Sequence, residues 1–459
     1  MLLEYGNLFF IYLIGLISVL LFSFATYLLS NKYSIILNKN HTTLILIFSF
    51  FFYFISALNL SILKINALNY YLDFATHLEI LWRNSQELGL TSLMSEKFFG
   101  SKYWFSAHFT PIVYLTYAPI FKVLPTPYII PISQTLFLCS SLIPLWLISK
   151  KYFDKNLSRL LISSFFFYPT IFYINIYGIA YIELCIPLLL WLFYFFEEKK
   201  NIFFILTLFL SLLIREEVSL VTSFIGIYIL IKKRYLLGMA TLLLSLIYFY
   251  LVMSIIIPYF NGGNTHIATS IYEGLGNTYI EIINKIFFNP IEVINKIMIV
   301  PKIGNFVMIL VPLLFTPLLS MPIFLVSAPN LVLTFLSDSI THSSFILYYL
   351  SPSIPIFFYA MISGINNLKK FKLLNMNALI QAILIGSVST TIFFGATPIS
   401  IAFWNKNYSV GNFYTTNFYQ SAYKEEKKDK AAKKIAQLIP DNAMVLAEQH
   451  LLPLLYKKR

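Results

Sequence analysis

Apolar runs of about 15–23 residues recur along nearly all of this chain, and each is close to the length of helix that crosses a hydrocarbon layer. That repetition decides the fold class before any single residue does. Of the 459 residues, 58% are hydrophobic and only 12% are charged, against about 25% charged in soluble domains, so a water-soluble fold would have too little polar surface to cover them. The spacing predicts an all-α polytopic membrane protein with about 12 transmembrane helices. They are expected at 7–29, 42–63, 127–149, 157–175, 179–197, 200–214, 217–231, 236–258, 304–320, 322–337, 344–364 and 376–398. Residues 1–398 read as one membrane domain with long connections at 64–126 and 259–303. The first run lacks a basic stretch before it and a small-residue cleavage site, so it reads as a span and not as a removable signal peptide.

The formal net charge is +13, and its placement gives the expected topology. Lys32 and Lys39, Lys150, Lys151 and Lys155, Lys199 and Lys200, Lys232, Lys233 and Arg234, and Lys369, Lys370 and Lys372 all fall on one side of the zigzag. Basic clusters at the ends of spans mark the cytoplasmic side. Both termini, both long connections and the tail from 399 then lie outside, in a multi-pass protein of the cell membrane. Because the charge is scattered among span ends, it implies membrane lipids as partners and no nucleic acid. Cys139 and Cys185 lie within apolar runs and read as buried thiols outside any disulfide framework.

Three segments between or after the runs carry patterns of their own. Residues 111–125 are apolar but short and proline-rich, which suggests an interfacial or re-entrant helix under the first outer loop. Tyr279 to Val300 has apolar residues at helical spacing, as a helix lying on the membrane would. In the tail, 399–459, a densely charged stretch from Lys424 to Lys434 leads through Pro440-Asp441 to an apolar run at 443–447, which reads as the start of a small, truncated α/β domain.

Candidate chemistry gathers in the first outer loop and at one break between spans. The loop holds Asp73, His77, Glu79, Arg83, Glu87, Glu96 and His108. If its first part is helical, Asp73, His77 and Arg83 fall near one face and Glu79 leans away. A carboxylate just past a span, such as Asp73, can act as a general base toward an acceptor hydroxyl, or its oxygens can hold a divalent metal. The bland alternative is a solvated polar helix face. Arg215-Glu216-Glu217 interrupts two short apolar runs near the outer surface, where charge is costly unless paired or solvated. A guanidinium there matches two oxygens of a lipid phosphate, or simply pairs with a neighbouring carboxylate. His108 and, from a late span, His342 and Tyr348 could line the same cavity. The glycines Gly262, Gly274 and Gly276 form no phosphate loop, no zinc or nucleophile motif is present, and no cofactor is indicated.

At these residues the sequence resembles a family of uncharacterised prokaryotic membrane proteins, a domain of unknown function whose architecture is similar to that of GT-C glycosyltransferases. The pattern D-x5-Q-x2-W is met by Asp73, Glu79 and Trp82, the pattern H-F-x-P by His108-Phe109-Thr110-Pro111, and K-E-D-V by Arg215-Glu216-Glu217-Val218. Gln134, Pro144, Pro187, and Tyr348 with Pro352 and Pro355 follow in the right order. The likeness runs from about residue 64 through Pro453. It departs where the family has F-H-P-E, since this chain has Ile176-Tyr177-Gly178-Ile179, with Glu183 as a displaced stand-in for the glutamate.

The resemblance implies a membrane glycosyltransferase that moves sugar from a polyprenyl-phosphate donor at the outer leaflet to a lipid, glycan or protein. In that reading Asp73 is the catalytic carboxylate, and Arg215, His108, Glu216, Glu217, Glu79 and Tyr348 bind or position the donor phosphate. A transporter or flippase of a lipid-linked or small polar substrate is the other class of function, and it requires broken helices and polar groups at mid-membrane depth.

Overall fold

The computed structural model describes residues 2–70, 72–264, 271–272, 274–276, 279–370, 374–405, 418–440, 443, 445 and 447–457. Helix dominates throughout. Among the described residues the sole strand-like pairing is an isolated antiparallel bridge between Thr91 and Tyr103. The apolar run at 443–447, expected as a strand, lies partly outside the described residues.

The expected 12 spans become fewer. Six helices are long and apolar enough to cross a membrane: Leu13–Lys32, Lys39–Asn66, Ile129–Tyr152, Tyr235–Phe260, Thr316–Leu336 and Met376–Phe394. Two bent pairs, Lys155–Phe166 with Pro169–Tyr177 (43°) and Pro290–Ile297 with Val300–Leu313 (70°), raise the number to eight. The runs expected at 179–197, 200–214 and 344–364 fold as the shorter helices Cys185–Glu197, Asn201–Leu212 and Ser353–Leu368, beside the 16-residue helix Glu216–Ile231. At 1.5 Å per residue, the 12 residues of Asn201–Leu212 reach only about 18 Å, well short of the ~30 Å hydrocarbon core. Their missing turns are irregular segments such as 178–184 and 343–352, and these are buried inside the protein. That is the one place where unpaired backbone can be tolerated at membrane depth.

The basic clusters gather at one end of the bundle. There Lys151 pairs with Glu198 at 2.8 Å, Arg234 donates to the Phe196 carbonyl, Gln381 donates to the Ile35 carbonyl, and Lys369 donates to the Tyr152 carbonyl. At the other end lie the connection 67–128, the break at Arg215 and the tail. Residues 111–125 do not span: a 3₁₀ turn, Pro111–Leu115, and a short helix, Tyr117–Val123, rest under the loop, held by Ile112 N–H on the Leu213 carbonyl. Tyr279 to Val300 forms two short helices, Tyr279–Phe288 and Pro290–Ile297, which leave Phe287, Phe288, Ile291 and Ile294 exposed, as a membrane-lying segment would. The tail carries the helix Lys427–Leu438, closed by a Glu426/Asp429 capping box. It folds back onto the loop end, with Lys433 on the Asn66 carbonyl and Tyr456 on that of Pro125.

One polar knot ties three helices together beneath the loop. Asn175 Oδ1 accepts from Tyr53 and Thr135, its amide donates to Ser61, and Ser61 donates back to the Asn175 carbonyl. Gln134 then donates to the carbonyls of Ile174 (3.2 Å) and Gly178 (2.6 Å), holding the C-terminal end of Pro169–Tyr177. Gly178 has φ +120°, and a Cβ there would meet the Tyr70 ring, so only glycine suits the turn. Together these contacts fix where Tyr177 points. Replacing Gln134 by Leu leaves two interior carbonyls without that donor, a loss of about 1–3 kcal/mol. The expected result is a lower thermal unfolding midpoint for the detergent-solubilised protein, and an unchanged midpoint would show that this knot does not hold the turn.

Candidate functional site

The candidate site is assembled from segments far apart in the chain. Asp73 lies in the first turn of the helix Leu72–Ser85, which is helical throughout, so His77 sits one turn further along the same side. Tyr177, at the end of its helix, donates a 2.6 Å hydrogen bond to Asp73 Oδ2. The Tyr177 ring meets Tyr348 edge-on with centroids 5.0 Å apart, and Tyr348 packs against Tyr349 at 4.3 Å. The Arg215 guanidinium also stands against Tyr348, 5.9 Å from the ring centroid. A chain of tyrosine contacts therefore links the carboxylate to the arginine.

Arg215 is placed by the break that the sequence marks. It is extended (φ −170°, ψ 150°), and the helix begins at Glu216, so Glu216 and Glu217 fall in a first turn where negative charge is favoured. Arg215 is only 5% exposed. Its Nε lies 3.2 Å from Glu217 Oε2 and 3.9 Å from Glu216 Oε1, and its Nη2 lies 2.8 Å from His108 Nε2. His108 Nδ1 is 2.6 Å from Glu216 Oε1, and the Phe109 N–H donates to Glu216 Oε2 at 3.1 Å. The loop is thus clamped to the helix start by a carboxylate, an imidazole and a guanidinium in sequence. Among the described residues, His108, Glu216 and Glu217 also form a group whose potential metal-ligand atoms all lie within 4.8 Å of one another.

Not every expected residue joins this site. Glu79 lies apart, closing the loop: it accepts from Ser92 Oγ (2.6 Å) and the Leu93 N–H (2.9 Å) at the start of the helix Leu93–Phe99, and sits 3.9 Å from Arg83. Its oxygens are taken up by the loop. Arg83 turns to Thr91. His342 reaches the rim through Tyr349, with ring centroids 4.4 Å apart. Glu183 is fully buried, accepting from Tyr117 and the Ala180 N–H. Sequence reasoning passed over Tyr177 as a binding residue, although a signal was present: Tyr177 stands where the family pattern F-H-P-E has histidine, another side chain able to donate to Asp73.

The model of a family described as predicted membrane protein (DUF2079) matches residues 71–459. The chain belongs to that family. The match begins just before Asp73 and takes in every residue of the cluster, and membership agrees with the apolar helices in making this a multi-pass membrane protein. No curated protein and no solved structure matches the chain.

Two histidines beside the cluster are held neutral. His77 sits between Trp104 and Tyr181, and burial, then His108 and Arg215, push its pKa down to about 3. Burial and then Arg215 push His342 down to about 4. In the unfolded chain both take up a proton below about pH 6.5. The unfolded state thus binds more protons in that range, and folding stability falls as pH drops from about 6.5 toward 4. Replacing His77 by Phe is expected to reduce this acid-side loss. Thermal midpoints at about pH 7 and about pH 5 check it, and an equal loss in both proteins would rule out His77 as a contributor.

Proposed function

We propose that the protein is a membrane glycosyltransferase of GT-C type that takes sugar from a polyprenyl-phosphate donor. The observation that carries this reading is the chain of contacts through Tyr348, which meets both Tyr177, the hydrogen-bond partner of Asp73, and the Arg215 guanidinium. In the reaction, an acceptor hydroxyl oxygen bonds to the anomeric carbon while the bond from that carbon to the phosphate oxygen breaks. The hydroxyl proton passes to Asp73, and the polyprenyl phosphate leaves as an anion beside Arg215. Glu216, Glu217 and His108 keep the guanidinium aimed, and the tyrosines offer flat faces to the sugar. Exposed apolar helix surface around this end suits a donor with a long hydrocarbon tail.

In this reading the basic end of the bundle is cytoplasmic, so the site, the termini and the tail face outward. Asp73→Asn and Arg215→Ala are each expected to lower sugar transfer to a defined acceptor by about a hundredfold or more, in proteins that insert and elute like the parent. Full transfer by both variants would refute the assignment.

The two broken helix pairs favour a second reading, a flippase or transporter, since discontinuous helices are a feature of such proteins. Reconstituted vesicles separate the two: a lipid-linked sugar that crosses the bilayer with its sugar–phosphate bond intact, and no transfer product, would replace the enzymatic reading with this one.

A further inference from the structure

The cage around Arg215 Nε has the donor set of a metal site. His108 Nδ1 lies 3.2 Å from that nitrogen, Glu217 Oε2 3.2 Å and Glu216 Oε1 3.9 Å. The three residues come from two chain segments about a hundred residues apart, and one potential ligand atom from each lies within 4.8 Å of those of the other two. They surround a cationic N–H, so the cage is already fitted to positive charge. Its ligands are also held from behind. The Phe109 N–H takes Glu216 Oε2, leaving Oε1 pointing inward, and Ser219 donates to the Glu216 carbonyl in the first turn of its helix. Backing of this kind fixes the orientation of metal ligands.

We propose that His108, Glu216 and Glu217 bind a divalent first-row metal ion of the Mn²⁺ class, in exchange for the Arg215 guanidinium. One imidazole nitrogen and two carboxylates suit such an ion better than Ca²⁺, which takes oxygen ligands, or a thiolate-seeking ion. The exchange follows from geometry and charge. An ion bonded to His108 Nδ1 puts the ring proton on Nε2, where it faces the Arg215 Nη2–H now 2.8 Å away, and the ion and guanidinium repel. Arg215 must therefore leave the cage, and the neighbour already beside it is the face of Tyr348. The inference stands without the glycosyltransferase reading.

The test titrates MnCl₂ into the purified, detergent-solubilised full chain and follows loss of the free Mn²⁺ electron paramagnetic resonance signal, so no sugar transfer is needed. One bound ion per chain is expected for the native protein. Binding should tighten by about tenfold or more in Arg215→Met and be lost in the double variant His108→Ala, Glu217→Gln. Circular dichroism and elution volume confirm that each variant is folded. If the double variant fails to fold, Glu217→Gln alone is used and should weaken binding by about tenfold or more. Lack of binding to the native protein overturns the proposal even if Arg215→Met binds, and so does binding that survives loss of the cage residues.

Discussion

A bilayer core offers no water to backbone amides and carbonyls, and that constraint governs where this chain can stop being helical. Several interruptions have their backbone carbonyls answered from neighbouring helices. Gln134 answers the end of Pro169–Tyr177, Thr391 donates to the Phe167 carbonyl at the bend, and Tyr168 and Ser387 reach the carbonyls of Ile309 and Pro312. These bonds convert what would be breaks into fixed geometry. The candidate site is a product of that geometry, since Tyr177, Arg215 and Tyr348 all stand at places where a helix ends or begins.

Much of this could be read from the residues alone. Hydrophobic runs of bilayer length indicated the helices, and lysine clusters indicated which connections share an end; the structure gathers those clusters together. Arg215-Glu216-Glu217 was visible as a break, because three charges cannot sit inside an apolar helix. The number of spans was not legible. Length alone cannot distinguish an apolar run that crosses lipid from one that spends its last turns as irregular chain within the protein, as at 178–184. Glu79 misled for a related reason: its spacing matched a motif, but only three dimensions show that Ser92 and Leu93 claim its oxygens. Tyr177 was visible only as a departure from the F-H-P-E pattern, and its hydrogen bond to Asp73 shows what a phenol at that position can do.

The cluster at Arg215 is a balance between specificity and cost. A nearly buried guanidinium is stable only with partners, and removing one partner from such a set is far more damaging than its surface equivalent. Here the partners come from the loop as well as from the helix start, so the ion pairs that keep the arginine charged also keep His108 and its loop in place. Any ligand that draws Arg215 away will therefore also be felt in the loop.

The contact between Asn69 and the Ala422 carbonyl joins residues 353 positions apart. At ribosomal speeds of about 5–20 residues per second, roughly 20–70 seconds pass between the emergence of the two. During that interval the carbonyls of Asn66 and Pro125 lack the donors that Lys433 and Tyr456 later bring. Docking of residues 422–456 on this end of the bundle is thus a late step in folding, since it has to wait for their synthesis.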